Sequence, residues 1–392
     1  MTQIRRDNHN PTLIIGGGLS GLFSAWLLQQ MQQPWVLVEA RDRLGGRILS
    51  EPVVDQQPDG GALDMGPSWY WPDMNLRIST LVEILQLNSY RQYAEGAVLR
   101  ESAAGQIPDK YPAQYSAGYS RRLEGGMANL TGALIERLPA QRIKTGTRVN
   151  QISLNDDGSY RVNMQHSASG EPLTELTADK VIVAMPPRLV AETLTFEPEL
   201  SVEMLDELGS IPTWMAVHAK AVVSYPRAFW RELGLSGMAA SQAGPLVEIH
   251  DASVNRADGT LAGALMGFVG YNAAARHTLG QDKLKTMIVS QLTRLFGDEA
   301  AQPDEVYLVD WTQEPLTASA ADKVQNPHVH VLGGLEEISD EAHPNLVFSG
   351  SEASRTFGGY LEGALEATER AVLALYPDAE DSLSDVWEFR RW

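Results

Sequence analysis

Regular patterning starts at Thr12–Ile15, a short apolar run of strand character, and then changes period. From Leu19 to Met31 the positions Leu22, Phe23, Trp26 and Leu27 recur at helical spacing, and Trp35–Glu39 is a second apolar run. Strand, helix and strand in direct succession make one βαβ unit. Pro72 precedes a helical pattern over 73–87, whereas residues 100–120, rich in Ala, Ser, Gly and Tyr, read as loop. Helical spacing returns over Ala128–Leu138. Arg142–Lys144 and Thr147–Leu154 read as strands, and the turn Asn155-Asp156-Asp157-Gly158 joins the second to Tyr160–Met164 as a hairpin. The run Val181–Met185 halts at Pro186-Pro187, as a buried parallel strand does when its carboxyl end borders a ligand crevice. Beyond Pro212 strand patterns dominate, at Ala216–Ser224, Val247–His250 and Leu261–Val269, until Gln281–Phe296 restores the helical period. Leu346–Gly350 and Glu362–Leu375 close the pattern as strand and helix. An α/β opening, a β-rich middle and an α/β return predict a nucleotide-binding domain interrupted by a second domain.

Composition adds exclusions. The 392 residues carry 50 acidic and 31 basic side chains, a net charge of −19, and such a surface repels nucleic-acid phosphate and anionic lipid while attracting small cations. No secretory signal or run of 18 apolar residues is present, so a soluble, cytoplasmic protein is expected. The absence of cysteine removes disulfides, thiolate metal sites, thiol nucleophiles and any cofactor tethered through sulfur.

The first strand runs directly into Gly16-Gly17-Gly18-Leu19-Ser20-Gly21, a G-x-G-x-x-G pattern opening a helix. Gly16 suits the tight turn, Gly18 lets a pyrophosphate approach the backbone, and Gly21 lets helix and strand lie close. The anion then rests on the free N–H groups of Leu19, Ser20 and the rest of the first helical turn. Glu39 ends the second strand, where a carboxylate accepts ribose hydroxyls, so the context indicates a dinucleotide and not merely a glycine-rich turn. Behind it comes Ala40-Arg41-Asp42-Arg43-Leu44-Gly45-Gly46-Arg47. Paired glycines there bring backbone close to a ligand, and Arg41 and Arg47 have the reach for phosphate oxygens.

These segments, with Asp64-Met65-Gly66-Pro67-Ser68-Trp69, resemble the opening of the flavin-containing amine oxidases, the monoamine and polyamine oxidase group. The run from Gly350-Ser351-Glu352 to Phe357-Gly358-Gly359-Tyr360-Leu361-Glu362-Gly363-Ala364 is similar to that family's C-terminal flavin motif. The resemblance implies FAD, with Glu352 at the ribityl-pyrophosphate region, Leu361 at the flavin pyrimidine edge and Val149 against adenine, while the missing cysteine for a flavin tether argues that the FAD is non-covalent. It also implies hydride removal from the carbon bearing an amine to flavin N5, with oxygen re-oxidising the flavin. The fold implied is α/β, a two-domain Rossmann-type FAD-binding fold with an interleaved α+β substrate domain. Residues 1–75, 122–208 and 330–378 would form the FAD domain, 76–121 and 209–329 the substrate domain, and 379–392 a tail.

Three side chains, Lys220, Tyr360 and Trp311, carry the expected chemistry. Alternation along Val217–Val223 puts His218, Lys220 and Val222 on one face, and period alone favours a solvated lysine. By resemblance Lys220 instead holds a water beside flavin N5. Tyr360 is either a core residue or one wall of an aromatic cage, and no aromatic in Glu314–Ala321, after Trp311, supplies the other wall. Trp311 itself, and Phe229-Trp230, have family counterparts. Trp69, Trp71, Trp214 and Phe268 are candidate pocket residues, and His218, His250 and Glu248 candidate partners for polar substrate groups. His328-Val329-His330 has metal-like spacing without a third ligand, and surface histidines explain it as well, so no metal is expected. The flavin motifs report cofactor rather than substrate, which leaves open a flavin desaturase or dehydrogenase acting on a non-amine substrate, and a non-catalytic FAD protein.

Overall fold

A computed structural model describes residues 10–53, 61–112, 119–256, 259–324 and 334–379. His328-Val329-His330 and the tail from 380 onward lie outside the described residues. The chain divides into two compact units: Met1–Gly46, Thr131–Trp214 and Val329–Trp392 form the first, and Arg47–Leu130 and Met215–His328 the second. Segments 47–75 and 122–130 thus fall in the second unit, where Asp64 accepts hydrogen bonds from Ser50 Oγ and the Met127 backbone, both at 2.7 Å.

The first unit is α/β. Its six-stranded sheet runs Ser339–Asp340, His343–Phe348, Lys180–Val183, Thr12–Ile15, Trp35–Val38, Ile143–Lys144, and only the first of these is antiparallel to its neighbour. Leu13, Ile14, Val181, Ile182 and Leu37 are fully shielded, as parallel strands covered on both faces require. From Thr12–Ile15 the chain returns first on one side, at Trp35, and later on the other, at Lys180. The carboxyl end of the first strand is therefore the switch point where α/β sheets bind ligands. Helix Leu19–Gln30 is buried all round from Leu19 to Leu28, a wider apolar surface than the one stripe its spacing suggests. Helix Leu361–Leu375 covers it, with Thr368 Oγ1 donating to Ser20 O at 3.0 Å. A four-stranded sheet of Leu176–Ala178, Tyr160–His166, Thr147–Leu154 and Thr195–Glu197 contains the expected hairpin.

The second unit is built on an eight-stranded sheet. Its main path is Glu305–Asp310, Ala219–Tyr225, Leu261–Val269, Leu246–Asp251, Leu235–Ser241, Ala97–Glu101, Asp109–Pro112. The last two strands correct the loop expected over 100–120: Ala97–Glu101 pairs with the remote Leu235–Ser241, and Asp109–Pro112 folds back on Ala97–Glu101 as an antiparallel edge strand, so pairing outweighs a turn-like composition. Alternation splits the central strands cleanly. Ala219, Ala221, Val223, Ile249 and Leu265 pack with Leu284, Ile288 and Leu292 of helix Gln281–Phe296, whereas Val222, Ala264 and Met266 pack with Val53, Leu63 and Met65. Arg276 fixes one edge through a bidentate pair to Asp310, both contacts at 2.7 Å, and through the carbonyls of Tyr271 and Val217. Among the described residues no helix is long and apolar enough to cross a membrane.

Candidate cofactor and active site

In the first unit the glycine fingerprint sits at the switch point. Gly16 has φ +108°, its N–H bonds Val38 O, and a Cβ there would stand 2.5 Å from Ala184 O, so only glycine makes this turn. A Cβ on Gly21 would lie 1.8 Å from Gly16 O, which is why helix and strand can touch. Gly18 differs: a Cβ would find nothing nearer than Gly46 Cα at 3.9 Å, so glycine there is not demanded by packing within the protein. It caps a helix whose N-cap makes no side-chain hydrogen bond, leaving first-turn N–H groups for an anion. Gly45 closes on the fingerprint through Gly45 N to Gly17 O at 2.8 Å, and Arg43 is held by the carbonyls of Leu44 and Gly46.

Glu39 is buried, and its two oxygens accept from Gly17 N at 2.6 Å and Arg41 N at 2.7 Å. Each oxygen keeps a further lone pair, so the carboxylate is oriented for a diol rather than exhausted. Ala40 and Arg41 follow directly, and Val149 is buried on the neighbouring Thr147–Leu154 strand. The open groove over Gly18, the uncapped helix and the oriented acid fit the adenosine and pyrophosphate portions of a dinucleotide.

The C-terminal motif belongs to the same unit. Gly350 lies against Met185 O, and Glu352, fully shielded, accepts from Trp214 N at 3.1 Å and Ser351 Oγ at 2.9 Å. Gly359 has φ +82°, and a Cβ there would meet Trp214 Cβ at 2.1 Å. That vacancy lets the Trp214 ring stack on Tyr360, with centroids 5.4 Å apart and planes 28° from parallel. Sequence left Tyr360 without an aromatic partner; the structure supplies Trp214 from a segment that periodicity could not place. The rings touch, so they form a platform and do not clasp a substrate between them. Tyr360 stays 38% exposed and caps helix Leu361–Leu375 without a side-chain hydrogen bond. Replacing Gly359 by Ala should cost about 2–3 kcal/mol through the positive φ and the tryptophan overlap. Denaturant midpoints and the tryptophan emission of the variant check this.

In the second unit Lys220 is 3% exposed, which overturns the solvated lysine favoured by period alone. Its face is covered by the segment carrying Met65-Gly66-Pro67-Ser68: Nζ donates to Gly66 O at 2.9 Å and to Ser68 Oγ at 2.7 Å. A Cβ on Gly66 would lie 2.0 Å from Arg47 O, so this segment is tightly seated. Burial lowers the Lys220 pKa to about 7, opposed by the nearby Asp64 carboxylate and aided by Arg122. Asp64 and Arg122 form a buried ion pair at 3.7 Å that the sequence did not reveal. Trp311 is buried, with Nε1 donating to Met65 O at 3.4 Å, and so steadies the covering segment. Trp69 donates to Gln92 Oε1 and meets the His250 ring edge-on at 4.9 Å, and His250 Nε2 lies 2.7 Å from Glu248 Oε1. His218 meets Phe268 edge-on. Phe229 and Trp230 are core residues, the indole of the latter bonded to Asp251. Trp71 is bonded through its backbone to Asn75.

A family model described as flavin containing amine oxidoreductase matches residues 83–375, and one described as an NAD(P)-binding Rossmann-like domain matches 14–85. The chain is 24% identical to amine oxidase [flavin-containing] A of Canis lupus familiaris, over 92% of this chain and 84% of that protein. It is 23% identical to putrescine oxidase of Kocuria rosea, over 81% of this chain and 84% of that protein. A solved structure of wild-type putrescine oxidase bound to putrescine superposes with a TM-score of 0.76 at 20% identity, covering 93% of this chain and 98% of the other.

Proposed function

The chain belongs to the flavin containing amine oxidoreductase family, whose cofactor is FAD, and from that premise we propose that it oxidises an amine at the carbon bearing the nitrogen, with oxygen as electron acceptor. The buried Lys220, bound by Gly66 O and Ser68 Oγ, is the observation that carries this reading. When bound, the flavin would supply a two-electron acceptor for the carbon bearing the amine, water would hydrolyse the imine to a carbonyl compound and ammonia or amine, and oxygen would take up the electrons as hydrogen peroxide.

The residues of the first unit hold the cofactor. Gly16, Gly18, Gly21 and the N–H groups of Leu19 and Ser20 receive the pyrophosphate. Glu39 receives the adenosine ribose, Ala40, Arg41, Gly45 and Gly46 close over it, and Val149 meets adenine. Gly350, Ser351, Glu352, Gly359 and Leu361 serve the ribityl and flavin end, where a helix N-terminus favours negative charge on the reduced ring. By resemblance alone, Arg47 and Met65–Ser68 would belong to the cofactor-binding set as well. Cysteine is absent, so no thioether tether to the flavin can form.

Lys220 contributes a proton-dependent hydrogen bond. A neutral amine has two N–H groups and one lone pair. Gly66 O and Ser68 Oγ take both N–H groups, so above its pKa the lysine offers the lone pair to a water hydrogen, and below it a third N–H to the water oxygen. By resemblance, a water so held would be the one that the family's lysine keeps beside flavin N5. Tyr360, backed by Trp214, offers its exposed ring to the alkyl chain of the substrate. The test is stoichiometric: turnover should yield one peroxide and one carbonyl product per oxygen consumed. Turnover of a substrate lacking nitrogen, with no amine accepted, would favour the desaturase reading.

A further inference from the structure

Asp64 and Arg122 belong to the layer that covers Lys220, and their charges are joined unlike those of the other buried pairs in the second unit. Arg231 meets Asp251 at 2.8 Å, Arg276 meets Asp310 at 2.7 Å and Arg294 meets Glu101 at 3.0 Å, each through a hydrogen bond. Arg122 Nη2 stops 3.7 Å from Asp64 Oδ2, although the two side chains are only 3% and 1% exposed. Among the described residues neither Asp64 Oδ2 nor Arg122 Nε has a hydrogen-bond partner. The carboxylate is held instead by its other oxygen, which accepts from Ser50 Oγ and the Met127 N–H. The guanidinium donates to Ser253 O at 3.4 Å and lies 5.8 Å from the centre of the Tyr90 ring.

Asp64 stands two residues before Gly66, whose carbonyl accepts from Lys220, so the two Cα atoms are about 7 Å apart at most. Its neighbours Leu63 and Met65 pack with Val222 and Met266 on the Lys220 face of the sheet. Solvent screens charges poorly at this depth, so a carboxylate nearby favours the lysine ammonium and a guanidinium the neutral amine. Charges 3.7 Å apart also cancel each other less completely than charges in direct contact. Burial depresses the lysine to about 7, with Asp64 drawing it upward and Arg122 downward. Of the other titratable groups around Lys220, Glu248 is bonded to His250, Asp310 is registered opposite Ala219 and held by Arg276, and His218 lies edge-on to Phe268.

We propose that Asp64 and Arg122 are positioning residues that act on the reaction through Lys220, Asp64 favouring its ammonium and Arg122 its neutral amine, with the open geometry of the pair holding the two in balance. The inference rests on the reading that Lys220 serves the chemistry at the flavin. Its consequence is a difference in sign. Loosening of the covering layer would move Lys220 the same way whichever partner is lost, whereas an electrostatic role moves it in opposite directions.

The experiment reads the charge of Lys220 through stability, at a fixed excess of FAD. Denaturant midpoints of each variant, with and without Lys220→Met in the same background, are compared across the pH range; the difference starts to rise where the folded protein releases the lysine proton, near pH 7 for the parent. Asp64→Asn keeps an acceptor for Ser50 and Met127 but loses the charge, and its onset should fall by about one pH unit. Arg122→Met should raise the onset by about one pH unit, and Arg122→Lys, which restores the charge, should return it to the parent value. Either arm decides alone if the other variant does not fold. Onsets that move the same way in both variants, or that stay at the parent pH, overturn the proposal. The pH transition of amine-dependent flavin reduction should follow the onset in each variant, and a kinetic transition that stays put while the onset moves also overturns it. Opposite onsets without flavin bleaching by any amine would instead overturn amine oxidation and leave the electrostatic control of Lys220 standing.

Discussion

Gly18→Val should give a folded, colourless protein. Gly18 has φ −76° and ψ −173°, extended backbone open to any residue, and the nearest atom to an added Cβ is 3.9 Å away. The polypeptide therefore accommodates the side chain, but its methyl groups would stand where the pyrophosphate must approach the uncapped helix. Losing two charge-assisted hydrogen bonds at about 1.5–3 kcal/mol each lowers FAD affinity on the order of 100-fold or more. Gly21→Ala is the contrasting variant, since its Cβ would overlap Gly16 O and the fold itself should fail. Visible flavin absorbance and far-UV circular dichroism separate the two outcomes. A fully yellow Gly18→Val protein would contradict the placement of the pyrophosphate.

Lys220→Met should slow amine-dependent flavin reduction or re-oxidation on the order of 100-fold, with FAD still bound. Methionine fills the volume but offers neither N–H nor lone pair to the water. In the parent protein the pH dependence of the reaction should contain a transition near 7 that disappears in the variant, because burial depresses the lysine to about 7. The stability consequence has a definite sign. Between about pH 7 and the ordinary lysine value near 10.5 the unfolded chain holds a proton that the folded protein does not. Stability of the parent relative to Lys220→Met should rise with pH across that window, by at most about 1.4 kcal/mol per unit, and be flat below it. Denaturant titrations of both proteins at pH 6, 8 and 9.5 measure this. A difference independent of pH would mean that Lys220 is not held neutral.

The glycine turn and the oriented Glu39 were legible in sequence because they are local: strand, Gly16-Gly17-Gly18, helix and Glu39 lie within one βαβ unit, and Gly16 and Gly21 each have a steric reason. The face of Lys220 was legible from alternation, but its burial was not. Gly66 and Ser68, which cover it, lie 154 and 152 residues away, and a period of two does not say which side of a sheet meets solvent. The partner of Tyr360 was hidden for a related reason. Trp214 reaches it only because Gly359 has no side chain and adopts a positive φ, a fact about backbone that Gly358-Gly359 hinted at without specifying. The Asp64–Arg122 pair and the arginine partners of the other acids left no local signal, since each joins positions distant along the chain. Strand Ala97–Glu101 was missed because pairing with the remote Leu235–Ser241 decides it, and Asp109–Pro112 because it is an edge strand that only Ala97–Glu101 templates.

Anaerobic mixing of the FAD-loaded protein with primary amines, diamines and nitrogen-free compounds of matched carbon skeleton bears most directly on the chemistry. Amine oxidation requires that amines alone bleach the visible flavin band, and that air restores it with release of hydrogen peroxide. A flavin that dithionite reduces but no amine bleaches would contradict it.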